Sequence, residues 1–436
     1  MAANKNIAFV SDRFYESEPP PPNTVGVVGW ARENLFSSPM NAFLTVVSLA
    51  IIAIYLPALL DWAVFKSVWN AGSLQECRAI IAETFGEGNR GACWAIVNER
   101  FTQMIYGFYP AGLRWRPNIT AVLLVAAIMP VMFDTQRPLF IAALLLLAAK
   151  IVTALWLTAM GEAGAMNILF GQTSILTAVI AVLAFLFGAR EHRRWWLIFS
   201  AVFPVIAYFL LWGGAFGLTS VPSSRFGGFL LTMIIGVTGI AASLPLGILL
   251  ALGRRSDLIF IRTICVMFIE FVRGVPLITL LFVASTLLNY FLPPGTSFDL
   301  ILRVLIMVTL FASAYMAEVI RGGLAALPKG QYEAADAMGL TYGQSMRLIV
   351  LPQALKISIP GIVNTFIGLF KDTTLVSIIG LLDPLGIAKP IRADSNWNGI
   401  VWELYGFIGV IFFLFCFGMS RYSMYLERRL RAGDRR

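Results

Sequence analysis

Three pairs of charged side chains stand inside otherwise apolar stretches of this 436-residue chain: Lys371 with Asp372, Glu270 with Arg273, and Glu318 with Arg321. A charge at the bilayer centre costs about 2.5–3.5 kcal/mol on insertion scales, so such charges either line a polar passage or pair to order a bundle. Lys371 and Asp372 are adjacent and project about 100° apart on a helix. An ammonium and a carboxylate beside a passage complement a zwitterionic solute, and Thr373 and Thr374 offer it hydroxyls. The competing reading pairs the charges with neighbouring helices and bonds the hydroxyls back to their own backbone. Both readings stay open for the charges; the second is favoured for the threonines. Glu270 and Arg273 share a face at i, i+3. Pro276 removes a donor and clashes with the Val272 carbonyl, so the helix either breaks to form a gate or kinks structurally. Lys371, Asp372, Thr373, Glu270 and Arg273 are thus the solute or gate candidates. Glu318 and Arg321 repeat the spacing at the end of their stretch, where a structural brace is the better reading.

Other chemistries are poorly supplied. The one histidine, His192, lies in the basic run 190–194, which excludes a multi-histidine metal site. Neither G-x-x-x-x-G-K-[ST] nor G-x-S-x-G occurs, so the chain carries no nucleotide-hydrolysing loop and no serine elbow of its own. Of the four cysteines, Cys77 and Cys93 fall in one polar segment. A bridge closing that loop in an oxidising compartment would contribute about 3 kcal/mol in the chain-entropy model. Two unpaired small residues are the alternative. Cys265 and Cys416 read as packing residues.

The elements that must position these groups are membrane helices. The chain is 58% hydrophobic and 13% charged, with a mean hydropathy of +0.78. Soluble domains carry about 25% charge, and disorder needs low hydrophobicity, so both classes are excluded. Ten stretches approach the roughly 20 apolar residues of a span: 41–65, 119–134, 139–158, 172–189, 196–216, 228–252, 263–292, 299–321, 359–381 and 400–424. The second is short and nearly fused to the third, so nine is the fallback. The net charge of +9 fits cytoplasmic loops better than nucleic acid. With the N-terminus inside, arginines collect in 190–195, 253–262 and the tail, while 159–171 and 293–298 have no Lys or Arg. Segment 66–118 then lies outside. Residues 1–40, with four consecutive prolines at 19–22, are too polar for a cleavable signal peptide.

One loop carries the most specific signal. Between the eighth and ninth spans, Pro328 opens a short helix that Gly339 ends. Thr341 and Gln344 have capping-box spacing for a second helix, which Pro352 is expected to stop. Alanines at 334, 335 and 337 offer a small-residue surface to a partner. The pattern Glu333-Ala334-Ala335, Gly339, Ile349-x-Leu351-Pro352 resembles the coupling-loop signature of ABC importer permeases. Residues 270–276, 317–323 and 370–375 are similar to the polar amino acid (histidine/glutamine-type) branch, and the upstream half resembles the M-type permease of general L-amino-acid transporters. The likeness covers roughly 228–425, about the last 45% of the chain.

That resemblance implies an all-α integral membrane bundle. It has a type I importer core at 226–425, coupling loop 322–358, about five extra spans in 41–225 and a basic tail at 426–436. It implies that Tyr332, Glu333, Ala334, Ala335, Gly339, Leu340, Ile349, Leu351 and Pro352 engage an ATPase. It also implies no catalytic residues and no cofactor on this chain, ATP and Mg²⁺ being held by the partner. The implied partners are a second, Q-type permease, two ATPases, a periplasmic amino-acid-binding protein, lipid and an L-amino acid substrate, in a bacterial inner membrane with both termini cytoplasmic. An ion-coupled carrier would show inverted repeats, which are absent, and would have no use for an ordered helical loop. An intramembrane enzyme lacks a nucleophile–base set.

Overall fold

Ser38 starts the first long helix: its hydroxyl accepts from the Asn41 amide at 3.2 Å, and Pro39 sits in the first turn, where no donor is needed. The computed structural model describes residues 26–133, 137–159, 171–188, 192–287, 290 and 298–433. Most of the polar N-terminal segment, Arg190, most of the 159–171 and 293–298 loops and the last three residues lie outside them. Among the described residues there is no β-strand, only two isolated bridges.

Contacts divide the chain into two units, Met1–Ala71 with Gln75–Trp94, and Gly72–Leu74 with Ala95–Arg436. The first unit holds α1 (Gly26–Asn34), α2 (Pro39–Leu60), a wide π-turn at Asp61–Phe65 and nearly all of α3 (Leu74–Phe85). Its polar end is cross-tied. Cys77 and Cys93 are joined by a disulfide with Cα atoms 6.0 Å apart. The Val68 amide donates to Ala92 O, the Ala92 amide to Trp62 O and the Trp94 indole to Ala63 O. Gly91 is required there, since a Cβ would lie 1.7 Å from Lys66 O.

The second unit begins with α4 (Ala95–Tyr106), α5 (Trp115–Met132), α6 (Arg137–Ala159), α7 (Gln172–Leu186) and α8 (Arg193–Trp212). A small apolar core of Ala126, Leu139, Ile180 and Ala184 holds α5, α6 and α7, with Trp196 and Phe199 of α8 packed against it. Ser200 donates to Ala127 O across α5 and α8, and Lys150 donates to Thr173 and Ser174 across α6 and α7. The structure corrects two expected spans. Helical residues start at Ala111 rather than 119, giving a full-length 22-residue span that is distinct from α6. Conversely α7 has only 15 residues and is too short to cross a bilayer straight.

The remaining helices are α9 (Gly228–Arg254), α10 (Ile259–Gly274), α11 (Leu277–Phe282), α12 (Leu300–Ala325), α13 (Lys329–Ala337), α14 (Tyr342–Ser345), α15 (Leu351–Asp372), α16 (Pro384–Ala393) and α17 (Trp402–Gly433). Small residues let α9 approach α12: a Cβ on Gly247 would lie 2.6 Å from Met316 Cβ. Gly323 meets α15 similarly, 2.0 Å from Ser358 Oγ, and the Ser358 hydroxyl donates to Val319 O. Two apolar cores result. One, near Leu231, Val304, Val308 and Leu369, spans α9, α12 and α15; the other, near Ile269, Met316, Ile320 and Ala354, adds α10.

Two further corrections concern prolines. The expected seventh span, 263–292, bends by 102° between α10 and α11, where Pro276 caps α11 without an amide to donate. Pro352, expected to stop a helix, instead occupies the first turn of α15. A π-turn at Met346–Val350 precedes it, with the Leu351 amide reaching back to Met346 O. That widening relieves the clash of the proline ring with the carbonyl four residues earlier. The helix therefore runs on, and Tyr342–Ile379 forms one 38-residue element.

Candidate functional site

The loop between α12 and α15 is ordered by its own hydrogen bonds. Gly339 adopts φ +69°, the left-handed conformation that a side chain disfavours. The Leu340 amide then donates to Ala335 O and the Gly339 amide to Asp336 O, which closes α13 as a Schellman motif. Thr341 and Gln344 form a reciprocal capping box at the start of α14. Gln353 on α15 donates to Gln331 on α13 at 2.9 Å, fastening the hairpin to the long helix.

This packing sorts the loop residues. Ala335 is fully buried and Tyr332 partly so, with Leu340, Ile349 and Leu351 intermediate. Glu333, Ala334, Ala337, Gly339 and Pro352 face outward. Ala335 therefore does not belong to the expected small-residue surface; it anchors the hairpin from below. Met338 and Tyr342 are large side chains on the same hairpin that remain 65% and 64% exposed. An exposed acidic group and exposed large side chains on one ordered hairpin suit a protein partner.

Along α15 the exposed side chains fall on one line. Ile357, Asn364 and Lys371 are exposed at seven-residue spacing, flanked by Pro360 and Gly368, while Ile362, Leu369 and Phe370 are buried on the opposite face. Seven residues make nearly two turns, about 10.5 Å of rise. An amide, an open glycine and an ammonium thus share a stripe inside an apolar helix. Asn364 was not among the sequence candidates, although its spacing from Lys371 was a readable signal. Asp372 is half-buried at the helix end. Thr373 lies off the stripe: it is fully buried and its hydroxyl donates to Phe370 O at 2.7 Å. Thr374 bonds back to Lys371 O.

Glu270 and Arg273 do not pair with each other as their spacing suggested. Arg254 Nη1 lies 2.9 Å from Glu270 Oε1 and 3.4 Å from Glu318 Oε2, and Arg273 lies 3.7 Å from Glu318 Oε2. Arg321 holds Glu318 Oε1 through both Nε and Nη2, at 2.9 and 2.5 Å. These charges join α9, α10 and α12. Arg254 entered the sequence reading only as a loop charge, because the helices that surround it are distant in sequence.

At the other end of the long helix, Asp383 is fully buried and caps α16, accepting from Leu385 and Gly386 amides at 3.2 and 2.9 Å. Burial pushes its carboxyl up to about 6 against the pull of those amides. Nearby, Arg100 on α4 pairs with Asp394, tying α4 to the end of α16. Among the described residues no cluster of His, Cys, Asp and Glu could hold a metal ion.

A multi-span helical bundle with a broken span and an ordered helical loop defines a membrane transport component. Residues 243–432 match the family described as binding-protein-dependent transport system inner membrane component. The chain belongs to the amino-acid ABC transporter permeases. It is 52% identical to the glutamate/glutamine/aspartate/asparagine transport system permease protein BztC of Rhodobacter capsulatus, covering 98% of this chain and 99% of that one. It is 40% identical to the inner membrane amino-acid ABC transporter permease protein YhdY of Escherichia coli, covering 96% and 97%. A shorter relative, the probable glutamine ABC transporter permease protein GlnM of Bacillus subtilis, is 32% identical over 47% of this chain but 91% of its own length.

Proposed function

We propose that this chain forms the solute pathway of an ATP-driven importer of L-amino acids in a bacterial inner membrane, with both termini in the cytoplasm. Glu333, Ala334, Ala337, Met338 and Tyr342 dock on an ATPase subunit that holds ATP and Mg²⁺. A second, Q-type permease completes the pathway, and a periplasmic binding protein delivers the solute. The observation that carries this reading is the continuous helical element Tyr342–Ile379. It begins in the docking hairpin and runs past Lys371, so hairpin movement is carried along one continuous element to the polar stripe. Lys371 receives the solute carboxylate and Asn364 a second polar group, a pairing suited to an amino acid and to the acidic and amide substrates in the name of the Rhodobacter relative. Residues 41–225 add a helical layer and an outer lobe that receive the binding protein or help pair the permeases.

The test is uptake of radiolabelled glutamate and glutamine into proteoliposomes holding the assembled complex. Uptake that requires ATP and binding protein supports the proposal. Uptake driven by an ion gradient without ATP would overturn it.

A further inference from the structure

Five charged side chains gather where α9, α10 and α12 meet, and they are not equally held. Glu318 sits at the centre. Its Oε1 is gripped by Arg321 on the same helix, while its Oε2 is shared between Arg254 at 3.4 Å and Arg273 at 3.7 Å. Arg254 also donates to Glu270 at 2.9 Å. Three guanidinium groups thus face two carboxylates, so one cation is always short of a full partner. Oε2 lies 3.4 Å from one distant arginine and 3.7 Å from the other, both longer than the roughly 2.7–2.9 Å of a full charge-assisted bond, so it holds neither closely. A small shift of either helix would close Oε2 on Arg254 or on Arg273.

Each distant arginine borders a different element. Arg273 is in the last turn of α10, with its guanidinium over the Tyr315 ring at 5.7 Å, directly before the 102° break to α11. Arg254 ends α9, and its neighbour Arg255 stacks on Tyr332 of the hairpin at 5.5 Å and donates to the Tyr332 hydroxyl at 3.0 Å. That hydroxyl in turn donates to Leu324 O at 3.3 Å. A physical line therefore runs from the hairpin through Tyr332, Arg255 and Arg254 to Glu318, and from there to Arg273 and the bend. It is separate from the long-helix route, because it reaches α10 and α11 and not α15.

We propose that Glu318 is a positioning residue that links the hairpin to the α10–α11 bend by exchanging its Oε2 between Arg254 and Arg273. The proposal rests on the importer reading above. It assigns Tyr332, whose side chain points inward and not toward the docking face, the task of reporting hairpin position to α9.

The test uses the assembled complex in proteoliposomes and reads ATP hydrolysed per solute imported. Glu318→Gln keeps size and acceptor oxygen but removes the charge that makes the exchange. Its expected effect is hydrolysis within about twofold of wild type and uptake down at least tenfold, about 1.4 kcal/mol in transition-state terms. Tyr332→Ala raises the same ratio. The double variant should be no worse than the more severe single, as for two points on one line. Equal loss of hydrolysis and uptake in Glu318→Gln, or multiplying effects in the double variant, would overturn the proposal. If Glu318→Gln fails to reach the membrane, Glu318→Asp is read by the same ratio, since its shorter reach also disturbs the exchange. Wild-type complex without ATP-driven uptake would instead count against the importer reading, which keeps the two failures distinct.

Discussion

In the proposed pathway Lys371 and Asn364 would make chemically distinct contacts with a solute. A charge-assisted bond from an ammonium to a carboxylate contributes about 1.5–3 kcal/mol, and a neutral amide bond about 1 kcal/mol. Lys371→Ala should therefore raise the solute concentration for half-maximal uptake by roughly ten- to a hundredfold, and Asn364→Ala by about fivefold. Dose–response uptake curves check both. Comparable, minor effects from the two variants would make the ammonium a structural group. Thr373 illustrates what spacing cannot reveal: it neighbours two polar residues in sequence, yet the turn of the helix carries it into the core. Asp383 makes a separate claim. Its folded-state carboxyl, at about 6, exceeds the ordinary 3.8 because ionisation in a buried site is costly. A raised acid loses native stability as pH climbs from the ordinary value through the folded one, here by about 3 kcal/mol. Asp383→Asn keeps a capping oxygen and removes the titration. Melting in detergent should show the variant gaining on wild type between pH 4 and 6, with the difference constant above that window. A difference that does not change with pH would contradict the buried-acid account.

At the scale of elements, the long helix makes the sharpest prediction. The π-turn before Pro352 already accommodates its missing amide, so Pro352→Ala should leave uptake within twofold. Leu355→Pro lies three residues further, where the ring strikes a helical carbonyl at a cost of about 3 kcal/mol. It should abolish coupling while the hairpin still binds its ATPase, checked by co-purification and uptake together. The same contrast explains which parts of the fold were legible in the sequence. Gly339 and the Thr341–Gln344 box were readable because the forces that end and start helices act within a few residues. Pro352 was misread because the π-turn that accommodates it is a tertiary adjustment with no local signature. The Arg254–Glu318 contact joins positions 64 residues apart, and Glu270 faces Arg254 instead of its i+3 neighbour, so spacing alone chose the wrong partner. The 102° break at Pro276 was half legible: the proline required a distortion, but its size depends on what packs behind it.

The disulfide belongs to a larger element, the polar end of the first unit. Bridging Cys77 to Cys93 restrains a sixteen-residue separation, which should be worth about 3 kcal/mol. Cys77→Ser should lower the proteolytic resistance of 66–94 without changing ATP-driven uptake per folded molecule. Limited proteolysis under non-reducing conditions reads this directly, and unaltered resistance would mean the surrounding hydrogen bonds suffice.

For the whole molecule, the chain divides by what its relatives retain. The Bacillus permease keeps nearly all of its own length within about half of this chain, and the family match occupies 243–432. The docking hairpin, the polar stripe and the Glu318 cluster all lie in that region, whereas the disulfide and the Lys150 contacts do not. The central claim is that an event at the hairpin reaches the pathway through α15. The most direct measurement is the ratio of ATP hydrolysed to amino acid imported by the reconstituted complex, with and without Glu333→Ala. The account predicts uptake reduced at least tenfold, with the variant still present in the membrane and still assembled with its permease partner. Unchanged uptake and an unchanged ratio in Glu333→Ala would contradict it.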